Sequence, residues 1–448
     1  MNPFLLRNVI FPTYHFVKGT KVLSRLRYLE QSQHLSRKHL LELQQNKLMQ
    51  LLHHAYNNVP FYREKLQSIG FAFNEQEFDL ETFRKIPFLT KKEINQDRQK
   101  LIAGNQPKYS LIPNSTSGST GEALKFYTDM RSWSYRRAVT IRNEEWLGIN
   151  FGERCATLWG ARMDIKKTQR LRGLLHAWVN NIIILSSHNL NTKKMKEYLT
   201  ELNRFRPMLL TSYPGPLTIL AEYILENRLQ VPETLTAIIC SAETLYSWQK
   251  LIIERAFECP VYNRYGCREF GNIAQECQER NGLHINVERV FLEIIDEFGN
   301  PAEPGCPGEV VITDLDNYGM PLIRYRIGDR ATINSGICSC GLELPLLKSI
   351  EGRTLDIVKT SNGNSVGGTF WTLLFRSSPG IAAFQVIQES ARGITVKYVK
   401  QAGIEPPLKK FSQKIREKCG HNFEINFKEE KEIPKTKSGK TRFVISKI

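Results

Sequence analysis

Segments of strand-like and helix-like pattern alternate between residues 157 and 266, which predicts an α/β fold with mostly parallel strands. Past residue 283, short apolar runs separated by Gly299-Asn300-Pro301 and Pro304-Gly305 turn the pattern β-rich. Beyond residue 353 a strand pair around Ala391-Arg392-Gly393, a helix and one more strand read as a small α+β unit. At 448 residues the chain has more than one domain. The expectation is a large N-terminal domain over residues 1–352, with mostly parallel sheets and a β-rich subdomain, then a small α+β C-terminal domain over 353–448.

In chain order, residues 20 to 69 carry leucines at helical spacing (Leu40, Leu41, Leu43, Leu48, Leu51, Leu52), and Asn57-Asn58-Val59-Pro60 stops the run. Thr90 with Glu93 three residues later predicts a capping box. Leu124–Tyr127 reads as a strand and Arg131–Trp146 as a helix. Strands follow at 157–160, 181–185, 208–213, 237–240 and 261–263, with helices at 195–205, 217–227 and 249–258 between the later ones. In parallel α/β sheets ligands sit at the carboxyl ends of strands. Ser212-Tyr213, Ser241-Ala242-Glu243 and Tyr265-Gly266 all fall at such ends. Further strands are expected at 291–296, 309–313, 382–388, 394–399 and 423–427, with a helix at 408–419.

Sixty-two Lys and Arg against 45 Asp and Glu give a net charge of +17, which suits nucleic acid, a membrane surface or anionic small molecules. The cations are scattered, with no run as dense as a nucleic-acid arm, so anionic nucleotides are the favoured ligands. Nine cysteines, an odd number without a signal-peptide pattern, point to a reducing, cytoplasmic setting. Arg7, Asn8, Pro12 and His15 interrupt the first 18 residues too often for a transmembrane segment. A helix end packing on the core is the favoured reading there. Peripheral membrane contact through Phe4, Leu5, Leu6, Ile10 and Phe11 is the alternative.

One stretch has no hydrophobic face at all, Ser115-Thr116-Ser117-Gly118-Ser119-Thr120-Gly121-Glu122. It reads as a loop whose glycines let backbone approach a ligand and whose hydroxyls and N–H groups surround an anion, with Lys125 adding charge. Gly118-x-x-Gly121 lacks the Gly-Lys-Ser/Thr of a Walker loop. A Ser/Thr/Gly linker is the bland reading, but no low-complexity sequence flanks it.

This loop, Tyr265-Gly266-Cys267-Arg268-Glu269, Tyr325-Arg326-Ile327-Gly328-Asp329, Gly352-Arg353-Thr354-Leu355-Asp356 and Pro434-Lys435-Thr436-Lys437-Ser438-Gly439-Lys440 stand in one order. The set resembles the adenylate-forming (acyl-CoA synthetase and adenylation-domain) superfamily, and within it the phenylacetate–CoA ligase and CapK group. Val59-Pro60-Phe61-Tyr62, 320–325, Cys338-Ser339-Cys340-Gly341 and 384–388 carry the likeness to that group.

The resemblance implies roles. The 115–122 loop would hold the β- and γ-phosphates of ATP, Glu269 would hold Mg²⁺, and Asp329 and Arg353 would meet the ribose. Ser241, Ala242 and Glu243 would line the adenine pocket beside Tyr265 and Gly266. Lys440, on a mobile lid domain, would bridge the carboxylate and the α-phosphate. Trp159, Ser212, Tyr213, Pro214 and the 265–271 segment, Gly271 included, would line the acid pocket. The implied reaction activates a carboxylic acid as an acyl-adenylate, releases pyrophosphate, and transfers the acyl group to a thiol of CoA or of a carrier protein. An amine of a sugar precursor in capsular polysaccharide synthesis is the runner-up acceptor. An adenylyltransferase and a non-catalytic scaffold are the rivals. Leu355 departs from the usual Gly-Arg-x-Asp-Asp hinge and puts the ordinary hinge in doubt. Taken singly, Glu269 reads as an ion-paired carboxylate, Asp329 as a turn residue and Lys440 as a solvated lysine; only together do they outweigh those readings.

Cys277, His284, Cys338 and Cys340 form a candidate structural zinc set of three thiolates and one imidazole. Their C-x6-H and C-x-C spacings are not those of a zinc finger, although the resemblance to the phenylacetate–CoA ligase group favours such a site. Cys306 is the less well placed fifth candidate. No nucleic-acid partner is expected, and a homodimer is left open.

Overall fold

The computed structural model describes residues 2–71, 79–105, 111–116, 123–159, 177–187, 190–353, 358–360, 365–366, 370–371, 374–375, 380–434 and 442–448. They form two compact units: Met1–Ile327 with Thr332–Ser349, and Gly328–Ala331 with Ile350–Ile448.

The first unit opens with helical segments. α1 (Pro3–Leu5), a π-helical stretch (Leu6–Ile10) and α2 (Phe11–Val17) run together, and α3 (Val22–Ser32) follows. Leu6 and Phe11 lie in a core with Leu26, Leu29, Tyr135 and Val139. The expected packing on the core therefore holds for those two side chains, which are not available to a membrane. Phe4 and Leu5 are exposed.

α4 (Arg37–Asn58) starts at the Ser36 cap and buries Leu40, Leu48, Leu51, Leu52 and Ala55, while Leu41 faces out. It ends because Val59, ahead of Pro60, takes an extended conformation; Pro60 then opens α5 (Pro60–Ser68). α6 (Leu80–Arg84) precedes α7 (Lys91–Gln96), whose Thr90–Glu93 capping box is present in full, with Glu93 also bridged to Lys65 at 3.1 Å.

β1 (Leu111–Ser115) and β2 (Lys125–Asp129) pair antiparallel with Ser115 opposite Lys125. Ser115 is thus the last residue of a strand, not part of the loop: its backbone is tied into the ladder. α8 (Met130–Glu145) follows.

The central sheet has eleven strands. One half is parallel: β3 (Cys155–Trp159), β4 (Ile182–Ser186), β5 (Leu209–Ser212), β6 (Ala237–Ser241) and β7 (Val261–Cys267), paired in the order β4-β3-β5-β6-β7. α9 (Thr192–Phe205), α10 (Pro214–Asn227) and α11 (Ser247–Phe257) connect its later strands. α9 places Met195, Leu199 and Leu202 on one face, and these join Leu220, Ile224, Ile238 and Ile253 in the core against the sheet.

The β-rich part continues the same sheet. β8 (Gly271–Glu276) pairs antiparallel with β7, and β9 (Leu283–Ile285) with β8. β13 (Leu346–Arg353), β12 (Tyr325–Asn334), β11 (Pro307–Asp314) and β10 (Val290–Ile295) complete the order. The division between the units falls within β12 and β13. β7 runs through Cys267, so Tyr265 and Gly266 lie inside the strand rather than past its end.

Buried ion pairs tie helix to sheet. Arg142 on α8 donates to Glu288 at 2.6 Å and to Asn286 at 2.7 Å, and Arg289 meets Asp314 at 3.0 Å with both side chains buried.

In the second unit, β14 (Val358–Lys359) pairs with β15 (Ser365–Val366). β16 (Ile381–Ser390) and β17 (Gly393–Lys400) form an antiparallel hairpin, flanked in parallel by β19 (Val444–Ser446) and β18 (Glu424–Glu429). α12 (Leu408–Cys419) has the predicted bounds and buries Phe411, Ile415 and Cys419 in a core with Trp371, Phe375 and Phe384. Among the described residues no helix is long and apolar enough to cross a membrane.

Candidate active site and metal centre

Parallel register puts the carboxyl ends of β3, β5, β6 and β7 side by side: Leu158 opposite Ser212, Ser212 opposite Cys240, and Ser241 opposite Arg264. Trp159, Ser212, Tyr213 and Ser241 therefore stand at neighbouring strand ends. Trp159 packs against Tyr213 with ring centroids 4.1 Å apart and the rings tilted by 37°. Ser212 Oγ, fully buried, shares its one proton between the carbonyls of Leu158 (3.2 Å) and Tyr213 (3.0 Å), so it has no donor left for a substrate.

Ser241 Oγ donates to the Arg264 carbonyl at 2.9 Å. Ala242 takes a left-handed φ of 66°, which swings Glu243 towards α10; the Glu243 carboxylate accepts from the Gly215 N–H at 3.2 Å, at the positive end of that helix. Tyr265 is buried. A side chain at Gly266 would meet the Gly271 carbonyl oxygen at 2.6 Å, so the β7–β8 turn closes only over a glycine.

Glu269 sits in that turn and is nearly buried. Arg136 holds the turn from beneath, donating to the Arg268 carbonyl at 3.0 Å and also to the Glu269 carbonyl. Burial with Arg289 nearby pushes Arg136 down to about 10. The Glu269 carboxylate has no hydrogen-bonding or ion-paired partner among the described residues. A nearly buried carboxylate so placed fits a hard divalent cation such as Mg²⁺.

Where the hydroxyl-rich stretch begins, Thr116 N–H donates to Leu124 O (2.9 Å) and Leu124 N–H to Thr116 Oγ1 (3.0 Å). Ser117, Gly118, Ser119, Thr120 and Gly121 lie outside the described residues, as does Lys440. Asp329 lies on β12 within the second unit, and Arg353 ends β13.

The sulfur and nitrogen atoms of Cys277, His284, Cys338 and Cys340 all lie within 4.8 Å of one another. Cys277 Sγ is 3.6 Å from Cys338 Sγ, and Cys340 Sγ is 3.3 Å from His284 Nε2. A tetrahedral zinc with Zn–S near 2.3 Å sets sulfurs roughly 3.8 Å apart, so the residues fit that ion. The His284 ring faces Leu344 O through Nδ1 at 3.3 Å, leaving Nε2 to the cluster. Burial pushes His284 down to about 4, so the imidazole stays in its neutral, ligating form; burial and the neighbouring thiols push Cys277 up to about 12. Cys306 is exposed and outside the cluster.

Sequence reasoning missed Arg136, which holds the Glu269 turn, and the buried Arg142–Glu288 pair. Their partners are distant in sequence, and no local pattern marks them. Arg268 stood inside a motif already singled out, and its place beside Glu269 was the available signal.

Residues 358–447 match the CapK C-terminal domain family. Protein CapK of Staphylococcus aureus is 27% identical over 421 residues, covering 91% of this chain and 90% of the relative. A phenylacetate–coenzyme A ligase of Thermus thermophilus is 24% identical, with 87% of each chain covered. Among solved structures, a 2-hydroxyisobutyryl-CoA ligase in its postadenylation state superposes with a TM-score of 0.72 at 18% identity, covering 90% of this chain and 88% of the other. By sequence the chain is similar to CapK and to phenylacetate–coenzyme A ligases, and it shares the fold of the solved 2-hydroxyisobutyryl-CoA ligase.

Proposed function

We propose that this protein is an adenylate-forming ligase that uses ATP and Mg²⁺ to activate a carboxylic acid and then passes the acyl group to a thiol, either CoA or a carrier-protein phosphopantetheine. The observation that carries the reading is the shared rim: Trp159, Tyr213, Ser241 and Glu243 at adjacent strand ends, with Glu269 in the turn after β7, in a chain whose relatives include phenylacetate–coenzyme A ligases.

In the first half-reaction a substrate carboxylate oxygen forms a bond to the α-phosphorus of ATP. The bond from that phosphorus to the bridging oxygen breaks, and its electron pair leaves with pyrophosphate. No nucleophilic side chain is required, so the protein acts by positioning and by offsetting negative charge. Glu269 would hold Mg²⁺, which supplies charge neutralisation at the phosphates when bound. By the resemblance, Asp329 and Arg353 would serve the ribose, Ser241, Ala242 and Glu243 the adenine, and Lys440 the carboxylate and α-phosphate. The Trp159–Tyr213 pair offers the acid an aromatic wall and favours an aryl or medium-length acyl group. The Cys277, His284, Cys338 and Cys340 cluster would hold structural zinc, tying together the residue after β8, β9 and the segment before β13.

A carboxylic-acid panel with ATP, Mg²⁺ and hydroxylamine tests the reading. Acid-dependent pyrophosphate and hydroxamate, both lost in Lys440→Ala, support it. Pyrophosphate without hydroxamate favours adenylyl transfer to a non-carboxylate acceptor. No ATP binding by calorimetry returns the protein to a scaffold. Hydroxamate formation with CoA inert and a sugar amine acylated moves the second step to the amine acceptor.

The N-terminal segment also suits peripheral contact with anionic lipid. Phe4, Val9, Phe16 and Val17 are exposed, and residues 1–29 hold Arg7, Lys18, Lys21, Arg25 and Arg27 with no acidic residue. Co-sedimentation with phosphatidylglycerol vesicles, but not phosphatidylcholine vesicles, is expected, with loss in Phe16→Ser/Val17→Ser. No sedimentation with either lipid defeats this reading.

A further inference from the structure

A cavity of about 370 Å³ opens where α6 and the 299–302 turn meet β10, an edge strand of the central sheet. None of its lining residues belongs to the strand-end site or to the cysteine cluster. Phe291, Ile294, Ile295 and Ile333 give it apolar walls. Its charged groups are paired with one exception. Arg84 bridges Glu81 at 2.5 Å, and Arg324 bridges Glu293 at 2.9 Å. Lys85 is exposed and makes no ion pair among the described residues, so the lining carries one uncompensated positive charge. The Arg324 wall is fixed. Its guanidinium also donates to the Ile86 carbonyl at 2.7 Å and lies 4.4 Å over the Phe88 ring.

The backbone of β10 adds a donor and an acceptor. Ala302 N–H donates to the Ile294 carbonyl and Asp296 N–H to the Asn300 carbonyl, both at 2.8 Å, while Val290 N–H donates to the Asn286 carbonyl at 3.1 Å. Alternate residues of a strand direct their backbone groups to the same side, so Leu292 also faces away from β11. Among the described residues neither its N–H nor its carbonyl has a partner on that side. The edge is therefore open over one residue, between covered positions at 290 and 294. An added peptide strand needs several such residues in a row, whereas a small ligand needs one. The volume lies near the lower end of the roughly 300–1,000 Å³ of small-molecule sites.

We propose that this cavity binds a small N-acylated amino acid with an apolar side chain. Its amide N–H donates to the Leu292 carbonyl and one carboxylate oxygen accepts from the Leu292 N–H, the exchange made by one antiparallel ladder pair. The second carboxylate oxygen meets Lys85 in a charge-assisted contact. The apolar parts pack on Phe291 and Ile333. A plain carboxylic acid leaves the Leu292 carbonyl unmet, and a neutral amide leaves Lys85 unmet, so the site asks for both groups on one ligand. It stands apart from the ligase reading, and failure of the acid panel leaves it untouched.

The test is a calorimetric titration of the full-length protein with N-acetyl-L-leucine, with N-acetyl-L-leucinamide, which lacks the charge, and with 4-methylpentanoate, which lacks the amide. It compares wild type, Lys85→Gln and Ala302→Phe, with thermal melts confirming that each is folded. N-Acetyl-L-leucine is expected to bind saturably, and each control about tenfold or more weaker. Lys85→Gln should weaken N-acetyl-L-leucine about tenfold and leave N-acetyl-L-leucinamide unchanged. Ala302→Phe fills the cavity and should abolish binding of all three; if it does not fold, Lys85→Gln at its exposed position decides alone. No saturable binding, equal affinity for 4-methylpentanoate, or N-acetyl-L-leucine affinity unchanged in folded Lys85→Gln overturns the proposal. The last result also identifies binding at a different acid site. An acetylated tetraleucine peptide binding more tightly than N-acetyl-L-leucine overturns it too, in favour of strand addition at β10.

Discussion

Replacing Gly266 by alanine probes how the β7–β8 turn aims Glu269. The new methyl would stand 2.6 Å from the Gly271 carbonyl oxygen, 3.3 Å from its carbon and 3.5 Å from Asn272 Cα. All three are backbone atoms, so no side chain can swing aside. Ordinary contact begins near 3.4 Å, and 3.4 − 2.6 leaves about 0.8 Å by which the strands must part. Overpacking of this kind costs about 1–3 kcal/mol. The displaced turn carries Glu269, and a misplacement approaching 1 Å lowers turnover by roughly 100-fold. Urea unfolding measures the first effect and pyrophosphate release with the best acid measures the second. Gly104→Ala is the control: its nearest neighbour would be Asn58 O at 3.8 Å, and its effect should stay within about 0.5 kcal/mol. A Gly266→Ala protein with the parental urea midpoint and rate would refute the argument. Loss of stability at full rate would show that the turn does not aim Glu269.

Three further outcomes are expected. Glu288→Gln leaves the buried Arg142 charge without its partner and should cost about 3–5 kcal/mol by urea unfolding, whereas Arg142→Met with Glu288→Leu should recover much of it; an additive double variant would contradict this. Burial, with Glu30 adding repulsion, raises Glu145 to about 7 from 4.5. The folded state therefore keeps a proton that the unfolded state sheds between those values, and stability falls as pH rises through the window. Glu145→Gln should then stabilise by about 1 kcal/mol at pH 8 after solvent screening and by almost nothing at pH 4; equal effects at both would refute the shift. Wild-type protein should hold one zinc per chain by elemental analysis, and Cys338→Ser should lose it and melt earlier. A metal-free wild type melting unchanged with chelator would exclude zinc.

Local chemistry was legible wherever neighbours in sequence decide the outcome. The Thr90–Glu93 box, the stop at Pro60 and the bounds of α12 all depend on contacts within a few residues. The alternation that predicts parallel strands likewise rests on burial of each segment's own apolar face, as α9 illustrates. Ser115 escaped because its polar composition reads as loop, whereas ladder bonds to Lys125 make it strand. Leu41 escaped because helical spacing alone does not say where the buried stripe ends.

The sequence by itself determined which residue types were on hand: the Tyr265-Gly266 pair with Glu269, the three cysteines and histidine, the hydroxyl-rich loop. Their order along the chain sufficed for the resemblance to adenylate-forming enzymes. Only the tertiary structure decided which of them meet. Parallel register brings Trp159 onto Tyr213 across 54 residues, and antiparallel pairing of β8, β9 and β13 gathers cysteines 61 residues apart to 3.6 Å. It also committed the Ser212 hydroxyl to backbone carbonyls rather than to a substrate, and brought Lys85 and Leu292 to one cavity. The physical reason is that such contacts follow from burying the sheet's faces and satisfying its backbone bonds together. Those are global conditions, and no short window of sequence contains them.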